Sequence, residues 1–319
     1  MLLPILLISL GLVLLVAGAE ALVRGASGLA RAAGLSPLVI GLTVVAFGTS
    51  SPELAVSVKA SFIGAGDLAI GNIVGSNIFN VAFILGLSAF FSPLSVHFQI
   101  IRLDMPILLL ASGLFTAFCL TGEGISTAEG GILFALVIAY TAFLIRMSLV
   151  ESATKKAEAA SLEILGVPDE KPKHLWTQVL LAFVGLGLLM LGARFLIDNA
   201  VVLARAMGVS EAIIGLTIVA AGTSLPELAT SVVAAIRKET DVAIGNIVGS
   251  NIFNLLCIGG VAGMVNPVGL GNIDRLDFAV MIAVSVLLLP MMWTGFRLVR
   301  WEGCVLMASY AGYVALRWP

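Results

Sequence analysis

Two glutamates stand inside long apolar stretches of this 319-residue chain: Glu53 follows the residues GTSSP, and Glu227 follows GTSLP. An ionised carboxylate at bilayer depth costs about 3 kcal/mol or more unless it is paired, hydrated or bound to a cation. Neither glutamate has an obvious basic partner in its own predicted helix, which disfavours a structural ion pair. A protonated buried acid is the other explanation. Together, two such carboxylates would balance one divalent cation, so we expect a cation site.

Hydroxyl side chains accompany each glutamate at helical spacing. Thr49 and Ser50 lie four and three residues before Glu53, so the three side chains share one helical face. The second stretch repeats this arrangement with Thr223, Ser224 and Glu227. Pro52 and Pro226 directly precede the glutamates, and a proline breaks a helix because it clashes with the carbonyl one turn earlier. We expect the breaks to free main-chain carbonyls near Ala46 and Ala220.

A second oxygen-rich segment, GNIVGSNIFN, occurs twice without change, at residues 71–80 and 245–254. Its serines and last asparagines reach the predicted helix centres and are the better ligand candidates: Ser76, Asn80, Ser250 and Asn254. The remaining asparagines fit a structural role between helices as well as a ligand role: Asn72, Asn77, Asn246 and Asn251. Every candidate ligand is an oxygen. This favours Na⁺ or Ca²⁺ over transition metals, which recruit imidazole or thiolate.

The composition places these residues in a membrane. Hydrophobic residues make up 60% of the chain and charged residues 11%, and the mean hydropathy is +1.11. A helix crosses a bilayer in about 20 apolar residues. Hydropathy predicts ten such spans and an all-helical membrane protein. The spans are 2–23, 36–58, 67–91, 104–121, 128–146, 176–198, 211–236, 241–264, 277–293 and 302–317.

The strongest pattern is an internal repeat. Residues 41–86 and 215–260 align at a constant offset of 174, and 30 of the 46 pairs are identical. Each half holds five predicted spans, and because five is odd, the second half must enter the membrane inverted. Such repeats place a substrate site near the midplane, between the halves. We predict a first repeat at 1–146, a polar linker at 147–175 with a short amphipathic helix around 150–165, and a second repeat at 176–319.

Lysine and arginine placement predicts the orientation. With the N-terminus outside, one side receives twelve of these residues and the other five. The more basic side is normally cytoplasmic. Both termini are therefore predicted outside and the linker inside, and the compact loops suggest a prokaryotic plasma (inner) membrane.

The paired G-T-S-x-P-E and G-N-I-V-G-S-N segments resemble the α-repeats of the calcium/cation antiporter superfamily, in particular prokaryotic sodium/calcium exchangers. The resemblance spans effectively the whole chain. It implies Na⁺/Ca²⁺ antiport by alternating access at a central cluster of ion sites, with residues 2–23 and 176–198 as sliding gates. The implied ligands are Ala46, Thr49, Ser50, Glu53, Ser76, Asn80, Ala220, Thr223, Ser224, Glu227, Ser250 and Asn254.

One departure concerns charge. Some exchangers of this type carry an aspartate where this chain has Asn254. With asparagine at 80 and 254 the site holds two carboxylates, so the ion ratio and proton dependence of relatives do not carry over. A proton-coupled Ca²⁺ antiporter using the same glutamates is the alternative. A cation channel is disfavoured because an inverted repeat closes a two-fold site.

An enzyme is not expected, because no predicted span contains a histidine to serve as a base beside a nucleophile. No cofactor and no nucleic-acid or obligate protein partner is expected. The partners are inorganic cations and the bilayer.

Overall fold

The protein is almost entirely helical. The computed structural model describes residues 2–122, 124–162, 175–208, 220–271 and 273–317, and only the backbone at 155–162 and 220. The helices are α1 (Leu2–Ala33), α2 (Pro37–Thr49), α3 (Ser51–Phe62), α4 (Gly66–Phe91), α5 (Ile100–Thr121), α6 (Thr127–Leu162), α7 (Leu175–Ala206), α8 (Ala220–Gly222), α9 (Leu225–Ile236), α10 (Thr240–Val265), α11 (Arg275–Trp293) and α12 (Arg300–Arg317). Four two-residue strands, β1 (Leu94–Ser95), β2 (Gly124–Ile125), β3 (Val268–Gly269) and β4 (Arg297–Leu298), connect helix ends.

The helices account for the ten predicted spans. Seven are single helices long and apolar enough to cross a bilayer, namely α1, α4, α5, α6, α7, α10 and α11. An eighth span is the pair α2–α3, which is bent by 49°. The helices α8 and α9 belong to the described part of the predicted span 211–236, whose beginning lies outside the described residues, and α12 is the tenth. The predicted all-helical, ten-span fold is confirmed.

The two halves of the chain are related as an inverted repeat. Strand β1, which follows α4, pairs antiparallel with β4, and β2 pairs antiparallel with β3, which follows α10. Strands β1 and β2 belong to the first half of the chain and β3 and β4 to the second, so each two-stranded sheet joins one half to the other. The helices α4 and α10, which β1 and β3 follow, are equivalent in the repeat. The sheets lie at opposite ends of α5, since β1 precedes it and β2 follows it. This crosswise pairing at both ends is what an inverted two-fold relation produces.

The first helices of the two halves, α1 and α7, pack antiparallel through glycines. Gly11 faces Gly192 and Gly18 faces Gly185, so the chain directions oppose each other. A Cβ atom added at Gly18 would lie 2.7 Å from the amide nitrogen of Leu189. Small residues therefore let the two backbones touch, as is usual between membrane helices.

The core is formed by α4 and α10. In their most apolar 18-residue windows, 78% of α4 and 89% of α10 is buried, against 22% of α1 and 28% of α7. The α1–α7 pair is therefore peripheral. The helix α6 continues to Leu162, inside the predicted linker, where the sequence predicts a separate short helix; residues 163–174 lie outside the described part.

Candidate ion-binding site

Each glutamate follows a break in its helix. Ser50 separates α2 from α3 with φ −82° and ψ 9°, and Ser224 separates α8 from α9 with φ −90° and ψ 12°. Pro52 and Pro226 fall in the first turn of the next helix, where a missing N–H leaves no intrahelical bond unmade. The predicted helix-breaking role fits this geometry. Both glutamates also lie in that first turn, where the helix dipole favours negative charge.

The carbonyl of Ala46 is not freed as expected. It accepts a hydrogen bond from the Ser50 amide at 3.0 Å, because the helix runs on for four residues before it breaks. Thr49 Oγ1 also lies 3.4 Å from this oxygen, but the shorter contact of that hydroxyl is the one to Asn246, at 3.1 Å. A carbonyl oxygen has a second lone pair, so Ala46 stays a candidate ligand. The repeat-equivalent Ala220 begins α8 and is described by its backbone only.

The glutamates of the two halves are joined through serines. Ser50 Oγ donates to Glu227 Oε1 at 2.8 Å, and Ser224 Oγ donates to Glu53 Oε1 at 2.9 Å. Ser224 Oγ also lies 3.4 Å from the hydroxyl oxygen of Ser76. Each half thus binds the carboxylate of the other, and both carboxylates are fully buried. The structure therefore brings together residues that the sequence separates by more than 170 positions.

Asparagine side chains form hydrogen bonds with hydroxyl groups next to the glutamates. Asn246 accepts a hydrogen bond from Thr49 Oγ1 at 3.1 Å and donates to Ser231 Oγ at 3.0 Å. In the other half, Asn72 donates to Ser57 Oγ at 2.9 Å. Sequence reasoning missed both of these serines. A signal for them exists, because they are repeat-equivalent and each lies one helical turn after a glutamate.

Asn80 and Asn254, the candidate asparagine ligands, occupy irregular helix turns. Asn80 lies in a π-helical turn, Phe79–Leu85, inside α4, and Asn254 begins the equivalent turn, Asn254–Ile258, inside α10. Such turns are rare and often mark functional sites. Both asparagines are buried.

Several buried oxygens of this cluster accept no hydrogen bond from any described residue. They are Glu53 Oε2, Glu227 Oε2, Asn80 Oδ1, Thr223 Oγ1, Ser250 Oγ and Asn254 Oδ1. No ion pair among the described residues involves either glutamate. Buried acceptors without donors are costly unless a cation satisfies them. Carboxylate, amide and hydroxyl oxygens are the donor set of Na⁺ and Ca²⁺.

The remaining candidate, Thr223, is half-buried beside Glu53. All candidates from the first half, together with Thr223, Ser224, Glu227, Ser250 and Asn254, thus lie on α2, α3, α4, α9 and α10 or at the breaks between these helices. Hydrogen bonds join five of them between the halves, namely Ser50, Glu53, Ser76, Ser224 and Glu227. No side-chain hydrogen bond among the described residues links Ser250 or Asn254 to the others, and only Ala220 lacks a described side chain.

Nearly the whole chain is similar to proteins of one known family. The family model described as "Sodium/calcium exchanger protein" matches residues 3–146 and 177–318. The inner membrane protein YrbG of Escherichia coli strain K12 is 38% identical over 299 residues, covering 92% of this chain and 90% of its own. The sodium/calcium exchanger MaX1 of Methanosarcina acetivorans is 35% identical over 347 residues, covering 98% and 97%.

A solved structure is also similar. The sodium–calcium exchanger NCX_Mj, soaked with 2.5 mM Na⁺ and 0.1 mM Ca²⁺, superposes with a TM-score of 0.83 at 31% identity. The superposition covers 98% of both chains. The similarity therefore extends over both halves of the chain.

Proposed function

Because this chain belongs to the sodium/calcium exchanger protein family, we propose that it exchanges Na⁺ for Ca²⁺ across a membrane as a secondary antiporter. The observation that carries the proposal is the crossed pair of glutamates, each bound by the serine of the opposite half. Two buried carboxylates balance the charge of one Ca²⁺. Their second oxygens have no donor among the described residues and are available to the ion.

The proposed ion site combines side chains of both halves with two main-chain carbonyls. Its members are Ala46, Thr49, Ser50, Glu53, Ser76, Asn80, Ala220, Thr223, Ser224, Glu227, Ser250 and Asn254. Ser50 lies near the middle of the bent span α2–α3, which supports a site near the bilayer midplane. The breaks before Pro52 and Pro226 allow the chain to present polar groups at that depth.

Alternating access follows from the inverted repeat, since exchange of the two half conformations opens the site to the other side. The helices α1 and α7 are the proposed gates, because they pack on each other at the periphery and not in the core.

We also propose a plasma-membrane location with both termini outside, and the division into repeats at 1–146 and 176–319 around the linker 147–175. The Lys and Arg distribution supports this orientation.

Transport in proteoliposomes tests the proposal. The purified protein is reconstituted, and ⁴⁵Ca²⁺ uptake is driven by an outward Na⁺ gradient in wild type, Glu53→Gln and Glu227→Gln. We expect Na⁺-dependent uptake in wild type and none in either variant, because each amide removes one of the two charges that balance Ca²⁺.

Glu129→Gln is the matched control. Glu129 caps the start of α6 through Ser126, a role that glutamine also fills, and it lies outside the site. This variant should transport like wild type. Uptake that follows a pH gradient and ignores Na⁺ would assign proton coupling to the same site. Unchanged uptake in both site variants would overturn the paired-glutamate site.

A further inference from the structure

Asn251 links the two core helices directly beside the ion site. Its side chain on α10 is fully buried. The Asn251 Nδ2 atom donates to the main-chain carbonyl of Asn77 at 3.1 Å, and the Oδ1 atom accepts from Asn80 Nδ2 at 3.0 Å. Both contacts reach α4, so one amide bridges the two halves of the molecule.

This bridge fixes the orientation of two amide groups. A main-chain carbonyl can only accept, so Asn251 must turn its nitrogen toward Asn77 and its oxygen toward Asn80. Asn80 must then turn its own nitrogen toward Asn251. As a result, Asn80 Oδ1 points away from the bridge, and it is a buried oxygen that accepts no hydrogen bond from the described residues.

The direction of that oxygen matters for a cation. Asn80 lies one helical turn after Ser76, which contacts Ser224, the serine that binds Glu53. An amide turned the other way would present N–H groups, which repel a cation. The amide of Asn80 serves as a ligand only in the orientation that Asn251 imposes.

The repeat-equivalent residue, Asn77, does not do the same. Its Nδ2 donates to the Ile73 carbonyl in its own helix at 2.7 Å. Neither polar atom of the Asn254 side chain has a hydrogen-bond partner among the described residues. The two halves of the site therefore differ, and Asn77 supplies a matched comparison of the same residue type, burial and repeat position.

We propose that Asn251 is a positioning residue for ion binding, which holds Asn80 with its oxygen toward the site. The proposal rests on the proposed function, because it assigns a role at the same cation site. Both polar atoms of the Asn251 side chain are engaged by Asn77 and Asn80, so Asn251 acts through Asn80.

Equilibrium binding of ⁴⁵Ca²⁺ to the purified full chain tests this role without transport. Loss of one hydrogen bond that fixes a ligand should weaken Ca²⁺ binding about tenfold in Asn251→Ala. Asn77→Ala should change it less than about twofold, since Asn251 bonds to the main chain of Asn77, which the substitution keeps. Asn251→Ser, a smaller change that also cannot reach Asn80, should match Asn251→Ala and serves if the alanine variant fails to fold.

The decisive comparison is made in an Asn80→Ala background. If Asn251 acts through Asn80, adding Asn251→Ala to Asn80→Ala should weaken binding no further, whereas a packing defect would add its own loss. Additive losses, or equal losses in Asn77→Ala and Asn251→Ala, would overturn the positioning role. Wild-type protein that binds no Ca²⁺ would instead overturn the proposed function, and with it this inference.

Discussion

At the scale of single residues, the crossed serine–glutamate bonds distinguish this site from a pair of acids that merely lie close. A hydrogen bond to a charged group contributes about 1.5–3 kcal/mol. We therefore expect Ser50→Ala and Ser224→Ala each to raise the Ca²⁺ concentration for half-maximal uptake at least tenfold. The initial rate of ⁴⁵Ca²⁺ uptake against external Ca²⁺ measures this.

Ser51→Ala is the control for that prediction. Ser51 is the neighbour of Ser50, but its hydroxyl donates to the Phe47 carbonyl of α2 at 3.0 Å and forms no hydrogen bond with either glutamate. Its removal should leave the half-maximal concentration within about twofold of wild type. A larger effect at Ser51 than at Ser50 would contradict the crossed arrangement.

Residue types at the site could be predicted from the sequence, but their partners could not. The repeat, the apolar surroundings of Glu53 and the oxygen-only donor set are all visible in the sequence and indicate a cation site. That Ser50 binds Glu227 and not Glu53 depends on how the two halves meet, which helical spacing within one half does not contain. The ligand set itself remains a prediction until ions are bound.

At the scale of helices, the glycines between α1 and α7 set how closely the two helices pack. A Cβ atom at Gly185 would lie 2.5 Å from the Leu22 amide nitrogen, whereas one at Gly187 meets nothing within 4 Å. Gly185→Ala should destabilise the fold by about 1–3 kcal/mol, since the backbones must separate. Thermal unfolding of the detergent-purified protein measures the loss as a lower midpoint.

Gly187→Ala makes the same chemical change on the same helix without the clash. It should leave the midpoint unchanged or raise it slightly, because alanine favours a helix over glycine by about 1 kcal/mol. If both variants unfolded at the same temperature, close packing at Gly185 would not be what joins these helices. Both helices are proposed gates. Transport by the same two variants therefore also tests whether α1 and α7 move together.

The helices are more predictable from the sequence than their irregularities are. Apolar length locates every span, and proline locates the bend between α2 and α3. However, α1 runs to Ala33 and α7 to Ala206, because backbone hydrogen bonding continues past the apolar part of a helix. Sequence reasoning missed the π-helical turns at Asn80 and Asn254, since one extra residue in a turn leaves hydropathy unchanged.

At the scale of the whole molecule, the positions of the two sheets provide a test of the inverted repeat. Sheet β1–β4 and sheet β2–β3 lie at opposite ends of α5, so they should lie on opposite faces of the membrane. Arg102, Arg297 and Arg300 lie in or near the strands of the first sheet. Arg275 and Arg317 lie near the second, and Arg317 is ion-paired with Asp274 and Asp277. The excess of positive charge favours a cytoplasmic location for β1–β4.

Labelling of single cysteines with a membrane-impermeant maleimide tests this arrangement. Ser95 in β1 and Thr127, just after β2, are both exposed, and Cys304 is the exposed native cysteine among the described residues. In a Cys304→Ala background, Thr127→Cys should react in intact cells, and Ser95→Cys should react only after permeabilisation. Reaction of both in intact cells would contradict opposite faces and hence the inverted repeat. The reverse pattern would keep the repeat and turn the molecule over, which would place both termini and the polar linker on the sides opposite to those proposed.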